Sequence, residues 1–315
     1  MTYTKDNENN TKNKYRVKNW KEYNQSLVQR GSLTVWIPEN VEDIWYTEGK
    51  GRYEDTAIEI ILTLKALYSL PLRATEGLAR SMFDLMQVLL HIPDYTTLSR
   101  RAKKLKVSLK KQSTKENVSI ILDSTGVKVY GEGEWKVRKH GWSKRRTWTK
   151  IHIGIDSDGE VRTVVTTKNN IHDSTIIDTA LNQEQKPIID FYGDGAYDTA
   201  PVYMSLVAHN IKKIHIPPHK NARIRIHGNT NGPPYIRDEN LRAIQKSNLK
   251  DWKISSGYHR RSLIENTMYR FKTAFGERIS FLNKRSQHTE VLIKCNILNT
   301  FHSLGMPMSY PIAPS

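Results

Sequence analysis

Three acidic side chains stand where an acid needs a reason. Asp123 closes the apolar run VSIIL, Asp194 lies in the turn GDGAYD after PIIDFYG, and Glu265 sits within YHRRSLIENTMYRFK. A carboxylate withdrawn from water alone is costly, and three brought together repel one another unless a cation joins them. A divalent ion resolves that conflict. Mg²⁺ prefers oxygen ligands, keeps several waters, and is held by a few carboxylates together with substrate phosphates. Two such ions about 4 Å apart can activate an attacking oxygen and stabilise a leaving one during in-line displacement at phosphorus. Such a site needs no histidine or cysteine, and His215 and His219 flank a Pro-Pro pair that forbids a helical zinc pair. Each acid also has an ordinary explanation. An Asp at a strand end or between glycines is a common turn former, and Glu265 follows Arg261 by four residues, the spacing of a surface ion pair. Asp198 competes with Asp194 for the second acid; Asp194 is preferred because it directly follows the strand.

The elements that must position these acids follow from periodicity. Over Tyr258 to Lys272, and on to Phe275, Ile264, Met268, Phe271 and Phe275 recur at helical spacing as one apolar stripe. Tyr258, Arg261, Glu265 and Lys272 fall on a second stripe, since steps of three, four and seven residues return to nearly the same helix face. VSIILDSTGVKVYG, KIHIGIDSDG and EVRTVVTTK read as three successive strands. IHDSTIIDTALNQEQ reads as a helix, PIIDFYGD as a short buried strand, TAPVYMSLVAHN as a helix and IKKIHIP as a fifth strand. Three antiparallel strands followed by helix–strand–helix–strand imply a mixed α/β sheet. Strands paired side by side could bring the ends carrying Asp123 and Asp194 together, with a helix across the sheet presenting Glu265 to both. His172 and Asp173, in IHDSTIID, are explained by a helix-start cap.

Upstream, residues 1–51 read as a polar arm and linker, partly disordered. Residues 52–111 are helical in pattern, punctuated by Pro71 and Pro93. Their last helix is expected to begin at Thr96 or Thr97 and to continue SRRAKKLK with Arg100 and Arg101. A short turn before a basic helix fits a helix-turn-helix module as well as a helical scaffold with a solvated basic face. Residues 112–305 form the α/β unit, with an insertion or flexible excursion at about 217–256 where PPHK and NTNGPP break the rhythm, and 306–315 are a tail.

Charge narrows the partner. Forty-nine basic against thirty-two acidic residues in 315 leave +17, which favours a large anionic partner, nucleic acid above all. The longest apolar run, from Ala57, is broken by Glu59 and Lys65 and is too short to span a bilayer, and the polar N-terminus resembles no signal peptide. One cysteine excludes an internal disulfide and a cysteine-zinc cluster. A soluble, cytoplasmic protein without a membrane partner is expected.

With these residues in view, the sequence resembles the bacterial insertion-sequence transposases of the acidic-triad (DDE) type, specifically the insertion-sequence-five family. Tyr258, Arg261, Glu265 and Lys272 match that family's Tyr–two–Arg–three–Glu–six–Lys signature without a gap. GDGAYD resembles its second acidic motif and LDSTGVKVYGEGEW its first, and the likeness runs from about Arg52 to Phe301. The resemblance implies a ribonuclease-H-like mixed sheet flanked by helices, preceded by an all-helical N-terminal domain. It implies that Asp123, Asp194 and Glu265 hold two Mg²⁺ or Mn²⁺ ions. The implied activity is hydrolytic nicking at the ends of the insertion sequence, then joining of the 3′-hydroxyl ends to target DNA, by a bacterial, cytoplasmic protein associated with the nucleoid. The implied partners are double-stranded DNA, as terminal inverted repeats and target, and a second copy of the chain. Tyr258, Arg261 and Lys272 would extend from Glu265 toward DNA phosphates, although Arg261 could instead only orient Glu265. The helix with Arg100 and Arg101 would read the repeats.

Between the first two strands, EWKVRKHGWSKRRTWTK carries seven Lys or Arg and three tryptophans. Lys139, Arg145 and Arg146 can neutralise phosphates, while Trp135 and Trp142 can stack on exposed bases; Trp148 is expected to anchor the hairpin to the core. Two other functions remain open on sequence alone. One is a catalytically silent DNA-binding protein or regulator derived from a transposase, and the other is a nuclease without strand transfer.

Overall fold

The computed structural model describes residues 14–47, 52–129, 148–226 and 235–312. In chain order come β1 (Lys14–Val17), α1 (Trp20–Gln29), β2 (Tyr46–Thr47), β3 (Arg52–Tyr53), α2 (Asp55–Leu67), α3 (Leu72–Leu85) and α4 (Tyr95–Ala102). Then follow β4 (Val118–Val129), β5 (Trp148–Ile155), β6 (Val161–Lys168), α5 (Ile177–Leu181), β7 (Ile188–Tyr192), α6 (Ala200–Ala208) and β8 (Lys213–His215). The chain continues through α7 (Ile236–Lys246), α8 (Leu249–Ser255), α9 (Ser262–Phe275), β9 (Arg278–Ile279), α10 (Lys284–Leu304) and β10 (Ser309–Ile312).

The apolar run at the start of β4 is buried along its first five residues, as a central strand flanked on both faces should be. β5 pairs with it antiparallel, β7 pairs parallel on the other side, and the sheet reads β6-β5-β4-β7-β8, with β9 joining the far end of β4. This is the mixed, helix-flanked sheet expected, with the antiparallel strands first and the helical crossovers after. Alternation along the strands sends Ile121, Ile151, Ile153 and Ile155 to one face, where they join a core with α2, α9 and α10. Ile120, Leu122 and Val165 point to the other face and pack with α5 and α6. α10 is buried nearly all round, so its polar residues need partners. Asn296 accepts from the Lys110 N–H and donates to the Ser108 carbonyl, and Asn299 accepts from the Val161 N–H and donates to the Val161 and Lys110 carbonyls.

Several segments differ from their sequence-based expectation. Residues 14–47, read as arm and linker, carry α1 and place Trp36, Ile37, Val41 and Trp45 in the core, while β1 pairs with β10 from the segment read as a tail. α4 is capped by Asp94 rather than Thr96 or Thr97: Asp94 Oδ1 accepts the Thr97 N–H at 2.7 Å. The 217–256 excursion contributes α7 and α8 and is tied down, since Asp238 Oδ2 accepts the N–H groups of Arg225 and Ile226 at 3.0 and 2.8 Å. The helix read from Tyr258 begins later. Gly257, at φ +68°, leads into a tight 3₁₀ turn over Tyr258–Arg261, and the α-helix starts at Ser262. Among the described residues, no helix is long and apolar enough to cross a membrane.

Candidate active site

Register decides where the acids emerge. In the parallel pair β4–β7, Ile121 stands opposite Tyr192. Asp123 and Asp194 each lie two residues beyond that pair, so both stand where the β4–β7 ladder stops: Asp194 in the turn after β7, and Asp123 midway along β4, which runs on to Val129 instead of ending at the acid as the sequence suggested. Asp194 is fixed by its turn: its Oδ1 accepts the Ala196 N–H at 2.9 Å, which leaves Oδ2 for another partner. Gly193 is required there, because a Cβ would sit 2.9 Å from Tyr197 Cδ2 and 3.0 Å from Phe191 Cε1. Asp123 Oδ1 accepts the Ser124 N–H at 2.7 Å.

The third acid arrives on α9. Ile264, Met268, Phe271 and Phe275 are buried in the core shared with Ile121 and Ile153, so the apolar stripe docks the helix on the sheet and its first turn reaches Asp123. One guanidinium then spans the two elements. Arg261 donates from Nη2 to Asp123 Oδ2 at 2.8 Å and from Nη1 to Glu265 Oε1 at 2.7 Å. Arg261 therefore does more than orient Glu265; it joins the helix acid to the strand acid.

The electrostatics place Asp194 in the same field. Burial pushes the Asp123 carboxyl above its ordinary range; the Ser124 N–H and Arg261 oppose that rise, and the charges of Asp194 and Asp173 add to it. The Tyr258 hydroxyl is pushed up to about 12 by burial, and although Arg261 opposes, Asp194, Asp123 and Glu265 all raise it further. Tyr258 thus feels all three acids, while its ring lies 5.8 Å from that of Trp252. Tyr197 is pushed up as well, by burial first and then by Asp173, Asp123 and Asp194.

Asp198 is committed elsewhere. Its carboxylate accepts from Arg237 Nε and Nη2 at 2.7 and 3.1 Å and from the His219 N–H at 2.9 Å, with both side chains buried. It pins the first turn of α7 beneath the Asp194 loop. Asp173, by contrast, does not cap a helix start. His172 Nδ1 accepts the Ser174 N–H in that role, and the Asp173 carboxylate turns to Lys150, His152 and Ser124. No spacing rule links residues 124, 150 and 173, so the sequence carried no signal for this cluster beyond the acid itself. His152 is fully buried, and that burial lowers it to about 4 against the pull of Asp173, so it is neutral.

The remaining expected site residues divide. Lys272 is in the last turn of α9, 3.8 Å from Glu277 rather than with the three acids. Arg101 is held within the fold, donating to the Tyr53 carbonyl at 2.8 Å and to Asp55 at 2.6 Å, whereas Arg100 is exposed and donates to its neighbour Thr97 at 3.0 Å. Trp148 is half-buried beside Gly126 of the neighbouring strand, with Lys128 5.6 Å from its ring, and is not part of either hydrophobic core. Trp135, Lys139, Trp142, Arg145 and Arg146 lie outside the described residues.

The donor set is all-oxygen and suits a hard divalent cation rather than zinc. Among the described residues, no three acids or histidines close round one point at metal-holding distance. Instead an Asp123 oxygen and a Glu265 oxygen both meet a positive charge, the guanidinium of Arg261. A family profile described as "Transposase DDE domain" matches residues 114–300, and a second with the same description matches residues 28–132.

Proposed function

The chain belongs to the DDE transposase family, and from that premise we propose that it cuts the ends of an insertion sequence and joins them to target DNA. Divalent metal use comes with the family; the choice of Mg²⁺ or Mn²⁺, a pair of ions, and a place in the insertion-sequence-five branch are part of this proposal. Asp123, Asp194 and Glu265 would hold the ions, which when bound supply charge to the attacking and leaving oxygens at phosphorus. The observation that carries the reading is the Arg261 fork between Asp123 and Glu265, just past the end of the β4–β7 ladder, where Asp194 follows β7.

The chain's own residues divide the remaining work. Arg261, relieved of the carboxylates by a metal, has a planar fork suited to a DNA phosphate. Tyr258, protonated at neutral pH, offers a hydrogen-bond donor at the rim. Arg100, exposed on α4, would meet the phosphates of a terminal repeat, and the net charge of +17 favours approach to the duplex. Handling two ends at once calls for a second copy of the chain. The test is a strand-transfer assay with DNA from the element's own ends and a supercoiled target plasmid. Joining of a 3′-hydroxyl end to the plasmid in Mg²⁺ is expected. Specific DNA binding with no cutting in either Mg²⁺ or Mn²⁺ would mark a silent DNA-binding protein, and cutting without joining would mark a nuclease.

A further inference from the structure

We propose that Asp173 is a positioning residue of the site, holding Asp123 in place through Ser124 from the opposite face of the sheet. The inference rests on the reading of Asp123 as a metal ligand. Ser124 is paired with His152 and Gly126 with Lys150, so Ser124, His152 and Lys150 share one face while Asp123 points to the other. Asp173 begins the short turn after β6 and lies over the face that carries Ser124, His152 and Lys150. Its Oδ2 accepts the Ser124 hydroxyl at 3.2 Å, and its Oδ1 lies 2.5 Å from Lys150 Nζ and 3.3 Å from His152 Nδ1.

The tether falls where the sheet itself supplies none. The β7 ladder on β4 ends at Ile121, and β9 takes up that edge only at Lys128. Among the described residues, 123–127 therefore have a strand partner on the β5 side alone. In that gap the Ser124 N–H holds Asp123 Oδ1, so the carboxylate is as steady as the backbone at 124. Asp173 anchors that residue by its hydroxyl, and Lys150 anchors Asp173. A second feature ties Asp173 to the acids rather than to the surface. The Tyr197 hydroxyl belongs to a residue only 1% exposed, has no hydrogen-bond partner among the described residues, and feels the charges of Asp173, Asp123 and Asp194. Sites that must present a ligand within a fraction of an ångström depend on such supporting contacts.

Calorimetric titration of the full chain with Mn²⁺, without DNA, tests the assignment, with thermal melting of each variant alongside. Ser124→Ala changes no charge, and it is expected to weaken Mn²⁺ binding by about three- to tenfold, the range of one ordinary lost hydrogen bond. Asp173→Ala should weaken it at least as much, and the double variant no further, because both break one chain of contacts. Asp173→Asn keeps an oxygen for Ser124 and should recover most of the affinity; it also serves if Asp173→Ala does not fold. Unchanged Mn²⁺ binding by Ser124→Ala, or an Asn variant as weak as the Ala variant, would overturn the assignment and leave Asp173 as the counter-charge of Lys150. A wild-type chain that binds no Mn²⁺ would instead refute the metal reading of Asp123.

Discussion

Arg261 and a divalent ion compete for the same oxygens, which makes Arg261→Met a revealing perturbation. The Glu265 end of the fork is weak: that carboxylate side chain is 61% exposed, and exposed pairs contribute roughly 0.2–1 kcal/mol. The Asp123 end is stronger, with side chains 21% and 19% exposed and a 2.8 Å charge-assisted contact. Discounting a hydrogen bond to a charged group for this partial exposure leaves about 1–2 kcal/mol for the site as a whole. Any ion bridging Asp123 and Glu265 must overcome that much. Removing the guanidinium removes the competition, and at 1.4 kcal/mol per tenfold the gain is about five- to thirtyfold in metal affinity. The loss of a nearby positive charge acts in the same direction. Calorimetry with Mn²⁺ on DNA-free protein should therefore show Arg261→Met binding more tightly than wild type, while cleavage falls because the phosphate contact is lost. Equal or weaker Mn²⁺ binding would refute the reasoning, since the guanidinium and the metal would then occupy different places.

Three other expectations follow from the same geometry. Arg237→Met strands the Asp198 carboxylate in a buried setting and should cost about 3–5 kcal/mol in urea unfolding, with Asp198→Leu/Arg237→Met much less costly; a loss under 1 kcal/mol would make the pair a surface contact. Arg100→Ala should reduce the salt dependence of DNA binding by about one phosphate contact, whereas Arg101→Ala should lower stability with the slope unchanged; the reverse pattern in salt-titrated gel shifts would put Arg101 on the DNA. Burial raises Asp123 above the ordinary carboxylate range, so its ionised form opposes folding once the pH passes the unfolded-state value. Metal-free Asp123→Asn should accordingly melt above wild type at pH 7, and the gap should close as the pH falls below the ordinary carboxylate range; a gap that widens in acid has the wrong sign.

Local periodicity made much of the fold legible. The stripe Ile264, Met268, Phe271 and Phe275 is buried where the spacing placed it, and the strand order followed from β-branched runs separated by turns. What escaped was decided by distant partners. Asp194 and Asp198 look alike in GDGAYD, and Arg237, far along the chain, is what occupies the second of them. Arg101 reads as one more base on a basic helix until Tyr53 and Asp55 claim it. Asp173 was explained by a cap because its partners come from two other strands. Ile37, Val41 and Trp45 stand at helical spacing, but with Pro38 and three acidic residues among them the stretch folds as turns rather than a helix, so a packed segment looked like a linker. The turn over Tyr258–Arg261 escaped for the opposite reason: the polar stripe runs through it unbroken, and only the left-handed Gly257 marks the boundary.

The convergence of the three acids can be measured without any DNA. Fe²⁺ bound in place of Mg²⁺, with ascorbate and peroxide, cuts the protein backbone close to the ion. Fragments ending near residues 123, 194 and 265 together, all suppressed by excess Mg²⁺, are the result predicted. Cutting near one of these positions alone, or Mg²⁺-insensitive cutting elsewhere, would contradict a shared metal site.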